Sequence, residues 1–154
     1  MQIRAAQLED AAQICCVLRR SITELCVADH RDDPEILQPW LANKTEDNLR
    51  DWILREGQIY YVALIDDTIA GVGAVSAVDG VLLNYVSPDY QYRGVSKAIM
   101  AALELWLVQQ GQSCSRLHST ATARSFYEQI GYIANGEPET RKTGLVSFPL
   151  VKKI

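Results

Sequence analysis

Asn84-Tyr85-Val86-Ser87-Pro88-Asp89-Tyr90-Gln91-Tyr92-Arg93-Gly94-Val95-Ser96-Lys97-Ala98 is the stretch on which the fold turns. A strand running from Val81 to Ser87 stops at Pro88, which has no N–H to give a ladder. A short polar turn follows, and Gly94 opens a helix predicted to continue to about Gln110, where Gly111 ends it. That helix is so dense in apolar residues that it must pack against the sheet. The junction points several free N–H groups at one spot, where the helix dipole also favours negative charge. It has the form of a phosphate cradle: Gly94 and Ser96 admit the anion, Arg93 adds a charge-assisted contact and Lys97 a nearby point charge. Geometry alone equally allows Gly94 merely to ease a tight turn before a buried helix.

Upstream, Gln2 to Ala6 is predicted as a first strand, and Asp10 offers a capping oxygen ahead of Ala11, Ile14, Leu18, Ile22 and Leu25. Those spacings of three and four draw an amphipathic helix with one buried face. Ala28 to Lys44 is acidic, holds two prolines and is expected to be an irregular insert or surface lid, leading to a second helix from Thr45 to about Arg55. Ile59–Ile65 and Ile69–Val78 form a predicted hairpin around Asp66-Asp67-Thr68, and a turn at Asp79-Gly80 adds the strand Val81–Ser87. Gly71-Val72-Gly73 lacks the third glycine and following helix of a dinucleotide site, so it is assigned to strand backbone making close contacts.

Downstream come a short strand near Ser115–Ser119, a helix from Thr120 to Ile130 ended by Gly131, and strands near Tyr132–Asn135 and Thr143–Val151. Three hairpin-linked strands are thus followed by a strand-helix-strand crossover. With no linker or internal repeat, residues 1–154 are expected to form one α+β domain.

Gln91-Tyr92-Arg93-Gly94-Val95-Ser96, preceded by Val86-Ser87-Pro88, resembles the acetyl-CoA signature of the GNAT (GCN5-related N-acetyltransferase) superfamily, Gln/Arg-x-x-Gly-x-Gly/Ala. Ser96 departs from it, standing where Gly or Ala is usual. Ala123-Arg124-Ser125-Phe126-Tyr127-Glu128-Gln129-Ile130-Gly131-Tyr132 is similar to the family's Ala-x-x-Phe-Tyr-x-x-x-Gly-Phe/Tyr segment, so the likeness covers nearly the whole chain. It implies a mixed, mostly antiparallel central sheet flanked by helices, with a splay between the fourth and fifth strands. It also implies transfer of an acetyl group from acetyl-CoA to a primary amine by direct attack in a ternary complex.

Carried over residue by residue, the resemblance implies that Tyr85, Val86 and Ser87 present main-chain groups to the pantetheine arm. Gln91, Tyr92, Arg93, Gly94, Val95 and Ser96 would hold the pyrophosphate, and Tyr127 would protonate the leaving thiolate, a role worth about 10²–10⁴-fold for a general acid. A core tyrosine beside Phe126 fits the same pattern. Thr120 stands where many relatives have an Asn that contacts the CoA arm, and it serves equally as the cap of the helix that follows. Relatives are often dimers, and Thr143–Val151 is apolar enough to pair either across an interface or within the chain.

Composition narrows the field from the other side. The net charge is -4, with 15 Lys and Arg against 19 Asp and Glu, and the only basic clusters are the small Arg141-Lys142 and Lys152-Lys153. Nucleic acid affinity needs concentrated positive charge, so it is not an expected partner. Residues 1–20 carry Gln7, Glu9, Asp10 and Gln13, unlike a signal peptide, and no apolar run approaches a bilayer span, so a cytoplasmic location is expected. Cys15, Cys16, Cys26 and Cys114 form no Cys-x-x-Cys pair and are expected to be buried reduced thiols; no metal site is expected.

An attacking amine must first lose its proton. Family members often take the base from a carboxylate on or beside the fourth strand, where this chain offers only Asn84 and Tyr85. Glu24, Asp29 and His30 are the remaining candidates. The acidic segment would suit a small amine, amino acid or peptide acceptor, with Trp40, Trp52 and Tyr60 as an aromatic wall. The rival from another class is a non-catalytic acyl-CoA-binding or regulatory module. A hydrolase built on His118, Ser119 or Cys114 is disfavoured because there is no Gly-x-Ser-x-Gly elbow and neighbours on one strand face opposite ways.

Overall fold

The computed structural model describes all of residues 1–154. Strands β1 (Gln2–Ala5), β2 (Gln58–Ile65), β3 (Thr68–Ser76) and β4 (Gly80–Val86) form one antiparallel sheet in the order β1-β2-β3-β4. The β2–β3 turn closes with Asp66 and Asp67 both left-handed (φ 50° and 61°), the combination whose twist matches a tight hairpin. A second sheet holds β5 (Cys114–Ser119), β6 (Ile133–Ala134), β7 (Glu139–Thr140) and β8 (Val146–Lys153), with β8 antiparallel to the other three. β8 lies between β5 and β6, so its ladder is used within the chain. β4 and β5 share no ladder: the splay between the fourth and fifth strands is present.

Helices cover both faces of the first sheet. α1 (Ala11–Leu25) and α4 (Glu46–Leu54) bury Ile14, Leu18 and Leu49 against Tyr60, Val62 and Val72. On the opposite face α5 (Val95–Gln109) buries Ile99, Met100, Leu103 and Leu107 in a second cluster. That cluster also takes in Leu117 of β5, Leu150 of β8 and Tyr127 of α6 (Arg124–Gln129), so one core spans both sheets.

Several expectations change. Ala28 to Lys44 is largely helical: α2 (Val27–His30) and α3 (Pro34–Leu41) are separated by left-handed Arg31 and Asp32. Asp33 caps α3 by accepting from the Glu35 N–H, and Pro34 sits in the first turn, where its missing N–H costs nothing. Asp10 does not cap α1 with its side chain; its carboxylate instead accepts both Arg4 nitrogens, at 2.7 and 3.0 Å, and the Gln7 N–H. α6 starts at Arg124 rather than Thr120, β6 is only two residues long, and β7 was not foreseen. Cys15 and Cys26 are buried, but Cys16 is exposed and Cys114 half-buried. No helix is long and apolar enough to cross a membrane.

Gly71 and Gly73 let α5 seat directly on β3. A Cβ at Gly71 would stand 2.6 Å from Val95 Cγ1, and one at Gly73 would collide with Ile99 Cγ2. Ile99 is β-branched and fully buried, so it cannot swing aside. Gly73→Ala is therefore expected to destabilise the protein by about 1–3 kcal/mol through overpacking, read as a lowered urea midpoint with an unchanged m-value.

Candidate active site

The cleft exists because β4 and β5 touch at one end only. At Gly80 (φ 82°) an added Cβ would collide with the Arg116 carbonyl of β5, so the strands meet there. Beyond that contact the space between them is a cleft of about 820 Å³, walled by Val81–Val86 of β4, by Leu117 and His118 of β5, and by Phe126, Tyr127 and Ile130 at α6. Ser21, Leu25 and Cys26 close it from the α1 side.

One rim is the start of α5. Gly94 is left-handed (φ 77°) and stands at the N-cap, and no main-chain N–H from Tyr92 to Lys97 has an acceptor within the protein. A Cβ on Gly94 would meet nothing within 4 Å and would project into open space. Lys97 also lines the cleft. Tyr92 is left-handed without being glycine (φ 62°), a conformation that costs a non-glycine residue of order 1 kcal/mol, and its side chain is 96% exposed. The turn is anchored from below: Ser87 accepts the Asp89 N–H, and Arg20 of α1 holds the Asp89 carboxylate at 2.7 Å while also pairing with Glu24 at 2.8 Å. Arg20 keeps the Asp89 carboxyl below the usual carboxylate range.

At the floor, Tyr127 is buried, edge-to-face with Phe126 and Tyr132. Burial pushes its phenol up to about 12, with the Asn84 amide alongside drawing it part of the way back. Burial likewise raises Cys26 to about 12, aided by Asp29, and raises Tyr85, whose hydroxyl has the Trp40 indole beside it. At neutral pH these three groups keep their protons.

Of the residues singled out from sequence, Tyr85, Val86, Gln91, Tyr92, Gly94, Val95, Ser96, Thr120 and Tyr127 all border this one cleft. Two do not. Ser87 is buried, its N–H on the Ala70 carbonyl and its hydroxyl in the turn, and Arg93 lies over the Tyr90 ring at 5.4 Å. Thr120 accepts the Ala123 N–H at 3.0 Å, closing the turn before α6 while still facing the cleft.

The proposed bases fail for particular reasons. Glu24 is outside the cleft, paired with Arg20. His30 is fully buried; its Nδ1 accepts the Asp32 N–H, which leaves Nε2 to donate to the Ile22 and Thr23 carbonyls. Asp29 accepts the N–H groups of Ala121 and Thr122 at 2.6 and 3.2 Å and the Thr122 hydroxyl, fastening α2 to the loop that leads to Tyr127. Trp52 and Tyr60 belong to the core beneath α1 and α4 rather than to a cleft wall. Sequence reasoning missed Cys26 as a wall residue and the Asn84–Tyr127 pairing, since both arise from contacts between distant segments.

A family model described as "Acetyltransferase (GNAT) domain" matches residues 27–154. The chain belongs to the GNAT acetyltransferase family. Among solved structures, a GCN5-related N-acetyltransferase from Rhodopseudomonas palustris superposes with a TM-score of 0.87 at 23% identity, covering 99% of this chain and 95% of that one. PaiA N-acetyltransferase from Thermoplasma acidophilum, solved with coenzyme A, gives 0.83 at 21%, covering 99% and 98%. Aminoglycoside 6'-N-acetyltransferase from Enterococcus faecium gives 0.74 at 12%, covering 99% and 97%. No curated protein matches the sequence.

Within this GNAT chain the Asp29 clasp is the contact that joins the α1–α2 side of the cleft to the Tyr127 side. Asp29→Ala removes the charged acceptor of two N–H groups and a hydroxyl, so it is expected to cost about 1–3 kcal/mol and lower the melting temperature by roughly 2–4 °C per kcal/mol. Asp29→Asn keeps one acceptor oxygen and is expected to lose less in the same thermal melt.

Proposed function

We propose that this chain is an N-acetyltransferase that binds acetyl-CoA in the cleft between β4 and β5 and passes the acetyl group to a primary amine. The observation that carries the reading is the row of unpartnered N–H groups at residues 92–97, on the rim of the cleft. A diphosphate fits such a nest of amides at a helix start. Lys97 adds positive charge, and the unpaired outer edge of β4 offers main-chain groups to an amide-bearing arm. No group of three or more His, Cys, Asp or Glu side chains is placed to hold a metal ion.

Acetyl-CoA would supply the activated acyl group as a thioester. Tyr127 holds its proton throughout the neutral range and stands at the cleft floor, so it can meet negative charge developing on sulfur. Leu25, Leu117, Phe126 and Ile130 line the same cleft, and such apolar surroundings strengthen a contact to that charge.

Two substitutions test the parts separately. Tyr127→Phe is expected to lower kcat at least about tenfold while leaving the acetyl-CoA Kd unchanged, measured by release of free CoA thiol and by calorimetry. Because the phenol is raised to about 12, kcat should show no falling limb between pH 7 and 10; a fall there that persists in Tyr127→Phe would place the acid on another group. Gly94→Val forces a branched side chain into a left-handed position, so it distorts the row of N–H groups and is expected to abolish acetyl-CoA heat in calorimetry; normal binding would place the diphosphate elsewhere.

A further inference from the structure

Transfer to an amine needs a receiver for the nitrogen's proton as well as a donor for the sulfur. None of the residues lining the cleft is an aspartate or glutamate. Burial keeps Cys26, Tyr85 and Tyr127 protonated near neutrality. Tyr90, Tyr92 and Lys97 line the cleft too, but phenols and lysine ammonium groups as a class hold their protons well past neutrality. Asn84, beside Tyr127, carries no titrating group, and its Oδ1 is buried without a hydrogen-bond partner, out of a ligand's reach. The remaining titratable side chain is His118 of β5. An imidazole is the side chain that ordinarily takes up and returns a proton between about pH 5 and 8.

Its place in the fold suits that work. β4 and β5 meet at Gly80 and Arg116, and His118 is the next residue on the Arg116 face of β5, just past that meeting point. Leu117, between them, turns the other way into the core cluster that holds Tyr127. A thioester threaded between the strands would therefore have the phenol on one side and the imidazole on the other.

His118 Nε2 lies 3.7 Å from Glu139, and its side chain is 58% exposed. β8 sets the pair: His118 stands opposite Pro149 and Glu139 opposite Ser147, two residues apart on that strand and so on one face. Arg116 is the other charged residue of β5, and Pro149 and Val151 bring no charge from β8. Val81 to Val86 of β4 bring only the Tyr85 phenol, and α5, with Lys97 and Glu104, packs on the Leu117 face. The Glu139 carboxylate draws the ring hydrogen to Nε2, which leaves the Nδ1 lone pair to accept. Exposure gives the accepted proton a way out to solvent.

We propose that His118 is the base of the transfer, taking the proton of the acceptor nitrogen directly or through one water, with Glu139 as its positioning residue. This rests on the transferase reading above. The neutral amine attacks the thioester carbonyl carbon and the C–N bond forms. His118 takes a proton from the nitrogen, the C–S bond breaks, and the sulfur takes the Tyr127 proton. The imidazolium gives its proton to solvent and the phenol regains one from it, so the net products are the acetylated amine and the CoA thiol.

The test measures thiol release at saturating acetyl-CoA with n-butylamine, glycinamide and spermidine, across pH 5.5 to 9. In the wild type kcat should rise with pH through the imidazole range, because the neutral ring is the working form. His118→Ala should lower kcat at least about tenfold and lose that rise, with the acetyl-CoA Kd unchanged; added imidazole should restore its rate about threefold or more. Glu139→Gln should lower kcat about threefold and move the rise to lower pH, since a carboxylate favours the charged ring. An unchanged kcat in His118→Ala overturns the proposal and leaves the transferase standing. So does a lost rate that imidazole does not restore, which makes His118 a wall of the cleft. No release by the wild type with any of the three amines overturns both.

Discussion

The cleft depends on two strands lying side by side without a common ladder. β4 pairs with β3 along one edge and leaves its other edge facing β5 across open space. Main-chain N–H and C=O groups along such an edge need partners, and a ligand bearing amides is a better partner than either an apolar wall or a distorted ladder. The splay is held by packing at one end and from beneath. Gly80 meets the Arg116 carbonyl where the strands join, and the core cluster of Ile99, Met100, Leu117, Tyr127 and Leu150 fills the space beneath. The gap cannot zip closed without breaking that cluster.

The same packing decides where charge goes. Several carboxylates are spent on fastening: Asp89 and Glu24 on Arg20, Asp29 on the loop before α6, and Asp33 on the cap of α3. The Arg20–Asp89 and Asp29 contacts tie α1 and α2 to the segments that carry the row of N–H groups and Tyr127. Their consequence is a cleft whose interior is apolar and free of acidic side chains, bordered by N–H groups and Lys97. Such an interior suits a large anionic ligand at its rim.

Chain-local features were readable in advance because the forces behind them act between near neighbours. The alternation in β2, β3 and β4, the three-and-four spacing of α1 and the strand–turn–helix at residues 84–98 each lie within one segment, as do Gly111 and Gly131 at helix ends. Nine of the expected site residues border the cleft for the same reason: most of them sit on that one contiguous unit. Ala28 to Lys44 was misread because prolines count as breakers in isolation, while Pro34 in a first turn behind Asp33 starts a helix.

Side chains whose partners are far away in the chain were not readable. Asp29, His30 and Glu24 carry the right chemistry for a base, and nothing in their neighbours reveals that Ala121, the Ile22 carbonyl or Arg20 will use it up. The approach of Glu139 to His118 is equally invisible until β5 and β7 are both set against β8. Chain order and periodicity thus carry the sheet and the strand–turn–helix, and two short motifs carry the family resemblance, since each lies within a contiguous stretch of chain. Which polar groups stay free to meet a substrate is decided only by folding, because a hydrogen bond is satisfied by whatever the fold brings within three ångströms of it.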